Sequence, residues 1–180
     1  MLYIMRHGKT EWNKLRRYQG STDIPLNDEG INQVRNACIQ YKDVNIDICF
    51  CSPLLRARQT AELFLEGRNI PVIYDDRLKE MSFGEYEGTF KTDDPKSMMT
   101  ILFDKPENFI PGEGGERLED VLDRTESFIE EYIFPNKNKD ILIVGHGAMN
   151  SALVCNLQNI PIKNYWQSFI KNCELRKIDY

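Results

Sequence analysis

Apolar residues along this chain fall into short runs and longer spaced stripes. Leu2-Tyr3-Ile4-Met5, Ile46 to Cys51, Pro71 to Tyr74 and Ile141 to Val144 have the length and bounding signals of buried strands. Between them, Ile31, Val34, Cys38 and Tyr41 recur at helical spacing behind Asn27, with Asp28 and Glu29 in the first turn, which predicts a helix from Asn27 to about Tyr41. Ser52-Pro53 has the cap-then-proline form of a helix start. A stripe from Leu118 to Ile133 predicts one long helix over Glu116 to about Phe134, and Ala148 to Asn159 predicts another before Pro161. Glu174 to Asp179 alternates as an exposed strand does. Strands alternating with helices predict an α/β sandwich around a mainly parallel sheet. The stretch from Thr89 to Gly115 is the hardest to read, with a short helix expected near Ser97 to Phe103 and a turn at Pro111 to Glu116.

Two of the strand runs end alike. The first stops at Arg6-His7-Gly8 and the fourth at Gly145-His146-Gly147, and these are the chain's 2 histidines. A single imidazole in that place reads as a strand cap. Two in matching contexts point to one site, because ligands of open parallel sheets bind outside the carboxyl ends of the strands. Arg56, in the first turn after the second strand, reaches the same edge, where helix starts attract phosphate. Arg58 diverges from it by about 200° around the helix axis and reads as a surface residue.

Arg6-His7-Gly8-Lys9-Thr10-Glu11-Trp12-Asn13 resembles the signature of the histidine phosphatase superfamily, in its phosphoglycerate-mutase-like branch. The resemblance continues through Arg17-Tyr18-Gln19-Gly20, Ser52-Pro53-Leu54 with Arg56, Leu78 to Gly88 around Glu80, and Val144 to Gly147. It implies a three-layer α/β/α sandwich around a mixed, mainly parallel sheet. It further implies that His7 is a nucleophile forming a phosphohistidine and that Glu80 handles the proton of the leaving group. Arg6, Arg56 and His146 would stabilise the phosphoryl charge, while Asn13, Gln19, Gly20 and Gly147 would complete the phosphate pocket. Glu87, the alternative acid, falls at a structural position of the motif. No metal and no cofactor are implied. Arg117 stands where related sequences often carry serine. The leading function is hydrolysis of small phosphomonoesters, with α-ribazole phosphate one candidate; the alternatives are a phosphoglycerate mutase and a non-enzymatic phospho-ligand binding module.

A length of 180 residues with 41% hydrophobic content suits one domain, 1–180. A formal charge of −5 argues against nucleic acid or an acidic membrane as partner and for a small phosphorylated metabolite held in a locally positive pocket. No apolar run spans a bilayer, no signal peptide opens the chain, and 5 cysteines without metal-site spacing suit reduced thiols, so a soluble cytoplasmic protein is expected. Nothing in the sequence sets the oligomeric state. Residues 81–116 hold three Lys, no Arg and eight Asp or Glu. If this stretch walls the pocket, it should repel a second anionic group on the substrate, and its Phe90, Met98, Met99, Ile101, Leu102 and Phe103 would favour an apolar portion.

Overall fold

The computed structural model describes residues 1–180. Five strands, β1 (Leu2–Arg6), β2 (Ile48–Cys51), β3 (Val72–Tyr74), β4 (Ile141–Gly145) and β5 (Leu175–Ile178), form one sheet in the order β3-β2-β4-β1-β5. All pairs are parallel except β5 on β1, so the sheet is mixed and mainly parallel. The helices are α1 (Glu11–Lys14), α2 (Asp28–Gln40), α3 (Leu55–Phe64), α4 (Met98–Asp104), α5 (Leu118–Phe128) and α6 (Gly147–Gln158).

The period-two alternation of the strands produces the layers. Leu2, Ile4, Ile141 and Ile143 point to one face and pack with Phe128 of α5 and Met149 and Leu153 of α6. Met5, Cys49, Cys51, Leu142 and Val144 point to the other, against Val34 and Ala37 of α2 and Ala57, Ala61 and Phe64 of α3. Ile143 has no exposed surface, so Ile143→Ala should cost about 2–5 kcal/mol through lost burial and the cavity left behind. A third core joins the hard-to-read segment to α6: Met81, Phe83, Met99 and Leu102 meet Leu118, Ala148, Ala152 and Tyr165. No helix is long and apolar enough to cross a membrane.

Three local expectations need correction. The helix after β2 begins at Leu55 with Leu54 as its N-cap, two residues later than Ser52-Pro53 suggests. Ser52 is drawn elsewhere, its hydroxyl lying 2.7 Å from Nε2 of His146. The long helix is not uniform either: α5 ends at Phe128, a π turn covers Ile129–Ile133, and a tight 3-10 turn follows at Phe134–Asn136. Pro135 cannot donate an α-helical hydrogen bond, and the wider turn keeps Ile129 and Ile133 buried. Finally, the short α1 is capped reciprocally by Thr10 and Asn13.

Candidate active site

Register places the two histidines side by side. Arg6 is the partner of Gly145 across the β1–β4 pair, and the His7 amide donates to the Gly145 carbonyl at 2.9 Å. The imidazole centroids of His7 and His146 lie 5.2 Å apart. Close packing requires the motif's glycine: a Cβ on Gly8 would sit 2.8 Å from the carbonyl oxygen of Gly30 in α2. The strand end is further pinned by Asn172, which donates to the His7 carbonyl at 2.7 Å, and by Thr60, which accepts from the Gly8 amide at 3.0 Å.

His7 is buried, and its Nδ1 lies 2.6 Å from the Gly8 carbonyl. A carbonyl only accepts, so Nδ1 carries the proton and Nε2 keeps its lone pair. Burial, then the charges of Arg56 and Arg6, push the His7 pKa well below 6.5 despite that hydrogen bond. His146 is held neutral in the same way, by burial first and then by Arg56, His7 and Arg6. The Ser52 hydroxyl has no other acceptor and therefore donates to His146 Nε2. The remaining proton of His146 lies on Nδ1, which has no partner.

Arg56 is fully buried. Its guanidinium donates to the carbonyls of Thr22 at 2.8 Å and Gly20 at 2.7 Å, and its Nε is unpartnered. Burial pushes its pKa down to about 10, with Glu80 and Asp23 opposing, so it stays charged at neutral pH. Arg6 is less engaged, with one long contact to the Ile170 carbonyl at 3.5 Å and an orphan Nε. Asn13 and Gln19 turn their side-chain oxygens to Thr10, which leaves both NH2 groups for a ligand.

Eight of the nine sequence-derived candidates line one cavity of about 500 Å³: Arg6, His7, Asn13, Gln19, Gly20, Arg56, Glu80 and Gly147. His146 stands behind His7, outside the wall. Glu80 is buried with both carboxylate oxygens on backbone N–H groups of Met81, Gly147, Ala148 and Met149, at 2.9 to 3.3 Å. Glu87 has a structural place, accepting from the amides of Ser21, Thr22 and Phe83. Arg58 pairs loosely with Glu62 at 3.9 Å on the surface. Arg117 is exposed at the start of α5, while its neighbour Glu116 accepts from the Ser82 amide at 3.0 Å and pairs with Arg124 at 2.8 Å.

The expected repulsive wall is overturned. None of the eight acids in 81–116 lines the cavity; the charged residues there are Arg6, Arg17, Arg56 and Lys91 against Glu80 alone. Summed charge misled because the acids of that segment face outward. Arg17 stacks on Phe90 at 4.4 Å, and Lys91 stands near the rings of Tyr18 and Phe103 at 5.8 and 5.9 Å. Phe103, Trp166 and Phe169 add an aromatic side to the cavity, with neighbouring centroids 4.8 and 6.0 Å apart. Of these, only Phe103 carried a sequence signal. Met99 and Leu102 are core. No group of three or more His, Cys, Asp or Glu side chains is placed to hold a metal ion.

Comparison with known proteins agrees with this geometry. Residues 2–180 match the model of the histidine phosphatase superfamily, branch 1. The chain is 38% identical over 151 residues to the uncharacterized phosphatase PhoE of Bacillus subtilis, covering 84% of this chain and 74% of that one. It is 28% identical to a probable phosphoglycerate mutase, GpmB, of Proteus mirabilis, over 99% of this chain and 84% of the relative. The solved α-ribazole phosphatase of Shigella flexneri superposes with a TM-score of 0.84 at 30% identity, covering 97% of this chain and 87% of that one. With matching strand order, histidine pair and arginines, this chain belongs to the histidine phosphatase superfamily.

Proposed function

We propose that this protein hydrolyses small phosphomonoesters through a phosphohistidine, without a divalent metal. The observation that supports it most is the His7 imidazole, neutral, with Nδ1 fixed on Gly8 and Nε2 free, beside two arginines that retain unpartnered Nε donors. Nε2 attacks phosphorus, the ester P–O bond breaks, and the alcohol leaves with a proton from Glu80. Water then attacks phosphorus, the P–N bond breaks, the proton returns to Glu80, and phosphate departs. Arg6 and Arg56 supply charge to the equatorial oxygens throughout.

The aromatic side of the cavity suits a leaving group with a planar ring, and α-ribazole phosphate, which carries one, is a substrate of this kind. The mutase reading gains from Lys91 and Arg17, since cations at the mouth suit a second anionic group on a retained intermediate. The test is a phosphate-release assay on aromatic, aliphatic and dianionic phosphomonoesters, with and without EDTA, and a parallel assay of 3-phosphoglycerate with catalytic 2,3-bisphosphoglycerate. Hydrolysis that survives EDTA and favours ring-bearing esters is expected. Rapid formation of 2-phosphoglycerate with little free phosphate would establish the mutase instead.

A further inference from the structure

The four N–H contacts of Glu80 conflict with its proposed task. Its Oε2 accepts from Gly147 at 2.9 Å and Ala148 at 3.3 Å; its Oε1 accepts from Ala148 at 3.1 Å, Met149 at 3.0 Å and Met81 at 3.0 Å. Neither oxygen is left to hold a proton toward a leaving group. The contacts have a clear physical origin. His146 is the N-cap of α6 but makes no side-chain cap, so the first N–H groups of that helix would be orphaned, and a carboxylate answers both them and the positive end of the dipole.

The same N–H groups belong to the cavity wall, because Gly147 and Ala148 both line it. Three further donors nearby have no partner: Nε of Arg56, Nε of Arg6 and Nδ1 of His146, with Arg56 and His146 fully buried. The Arg6 guanidinium lies against the start of α6, 3.5 Å from where a Cβ on Gly147 would be. An array of this size, converging on a helix start, satisfies an anion with more oxygens than a carboxylate has.

We infer that the start of α6 is a shared anion site, filled by the Glu80 carboxylate at rest and taken over by the phosphoryl group of the substrate. Phosphoryl oxygens accept from Gly147 and Ala148 while the other oxygens meet Arg6 and Arg56. Glu80 leaves the helix start and turns into the cavity beside the ester oxygen. Binding thus releases the proton-handling group only when a phosphoryl group is seated. This step rests on the phosphatase reading of the site.

The experiment uses the full-length protein labelled with 15N and 13C, titrated with inorganic phosphate, together with crystals grown with and without phosphate. Met81 is the diagnostic amide, because it is tied to Glu80 on the side away from the proposed phosphoryl position. Its resonance and the Glu80 carboxyl carbon should move with the same saturation as His7, and in the phosphate crystal Glu80 should be out of reach of Gly147 and Ala148. Glu80→Ala should bind phosphate about tenfold more tightly than the parent, and Glu80→Gln less so, since an amide oxygen still caps the helix in part. Equal gains in the two variants would indicate relief of charge repulsion alone, and weaker binding would make Glu80 a partner of phosphate; either result overturns the exchange. If neither variant folds, the parent spectra decide. Phosphate bound on Arg6 and Arg56 with Glu80 unmoved sinks the exchange even if turnover continues, whereas displacement without turnover upholds it and sinks hydrolysis.

Discussion

His7 enters the reaction as a neutral imidazole, which sets how the enzyme responds to acid. Burial, Arg56 and Arg6 all disfavour its protonated form, and Nδ1 is committed to the Gly8 carbonyl. Once corrected for ionisation of the substrate phosphate, the acid limb of kcat/KM should therefore fall well below pH 6.5; a limb at or above 6.5 would contradict the assignment. The same depression acts on stability. Above about 6.5 the histidine is neutral folded or unfolded, and as pH falls toward the depressed folded value only the unfolded chain takes the proton, so stability declines across that window. His7→Ala should abolish both turnover and the acid-labile phosphoenzyme trapped by rapid quench, and an undiminished intermediate would remove His7 as nucleophile. Glu80→Gln should lose on the order of 10² to 10⁴ in rate with poor leaving groups and far less with a nitrophenolate, which needs little proton assistance. A uniform loss across the leaving-group series would place Glu80 outside proton transfer.

At the scale of elements, the loop after α1 and the loop around Gly84 act as one part, joined by Glu87. Its carboxylate accepts from Ser21, Thr22 and Phe83, and the clamped loop offers the Gly20 and Thr22 carbonyls that aim Arg56. Gly20 adopts φ of +55°, and a Cβ there would come within 2.1 Å of a Glu87 oxygen, so Gly20→Ala and Glu87→Gln should fail alike. Burial raises the Glu87 pKa, but hydrogen bonds from Thr22, Ser21 and Phe83 outweigh it and hold it below the ordinary value. The stabilisation is present above the ordinary glutamate range and lost as pH falls through the depressed value. Glu87→Gln should lower stability at neutral pH by about 1–3 kcal/mol, weaken substrate binding through Arg56, and flatten part of the parent's acid-denaturation curve; unchanged stability would show the clamp to be slack. Much at this scale was legible in the sequence. The strand ends, the Asn27 cap and the Ser97 start of α4 are local signals, and the structure follows them. The delayed start of α3 was not legible, because it depends on Ser52 meeting a histidine 94 residues away. Trp166 and Phe169 were missed for the same reason: a polar 3-10 segment shows nothing of which rings the tertiary fold turns toward the cavity.

Across the whole molecule, charge is segregated. The chain carries a formal charge of −5, yet the cavity collects Arg6, Arg17, Arg56 and Lys91 around a single carboxylate. The residue types forming the site were readable from motifs; the sign of its outer wall was not, since a sum over 81–116 is blind to which side chains face inward. A positive cleft in a negative molecule focuses field on an approaching phosphate dianion while the surrounding surface repels it. Only the cleft lies within a Debye length of the docking substrate at moderate salt, about 10 Å at 0.1 M. Diluting salt should therefore strengthen attraction at the cavity more than repulsion from the distant acids. The expected outcome is that kcat/KM for a dianionic substrate falls several-fold between about 20 and 200 mM KCl, with little change in thermal midpoint. Lys91→Gln should flatten that dependence while leaving phosphoenzyme formation at saturating substrate nearly unchanged, because Lys91 stands at the mouth, against Tyr18 and Phe103. A salt slope that is absent, or that Lys91→Gln leaves intact, would mean that the mouth cations do not guide the substrate and that recognition rests on the aromatic side of the cavity and the inner arginines.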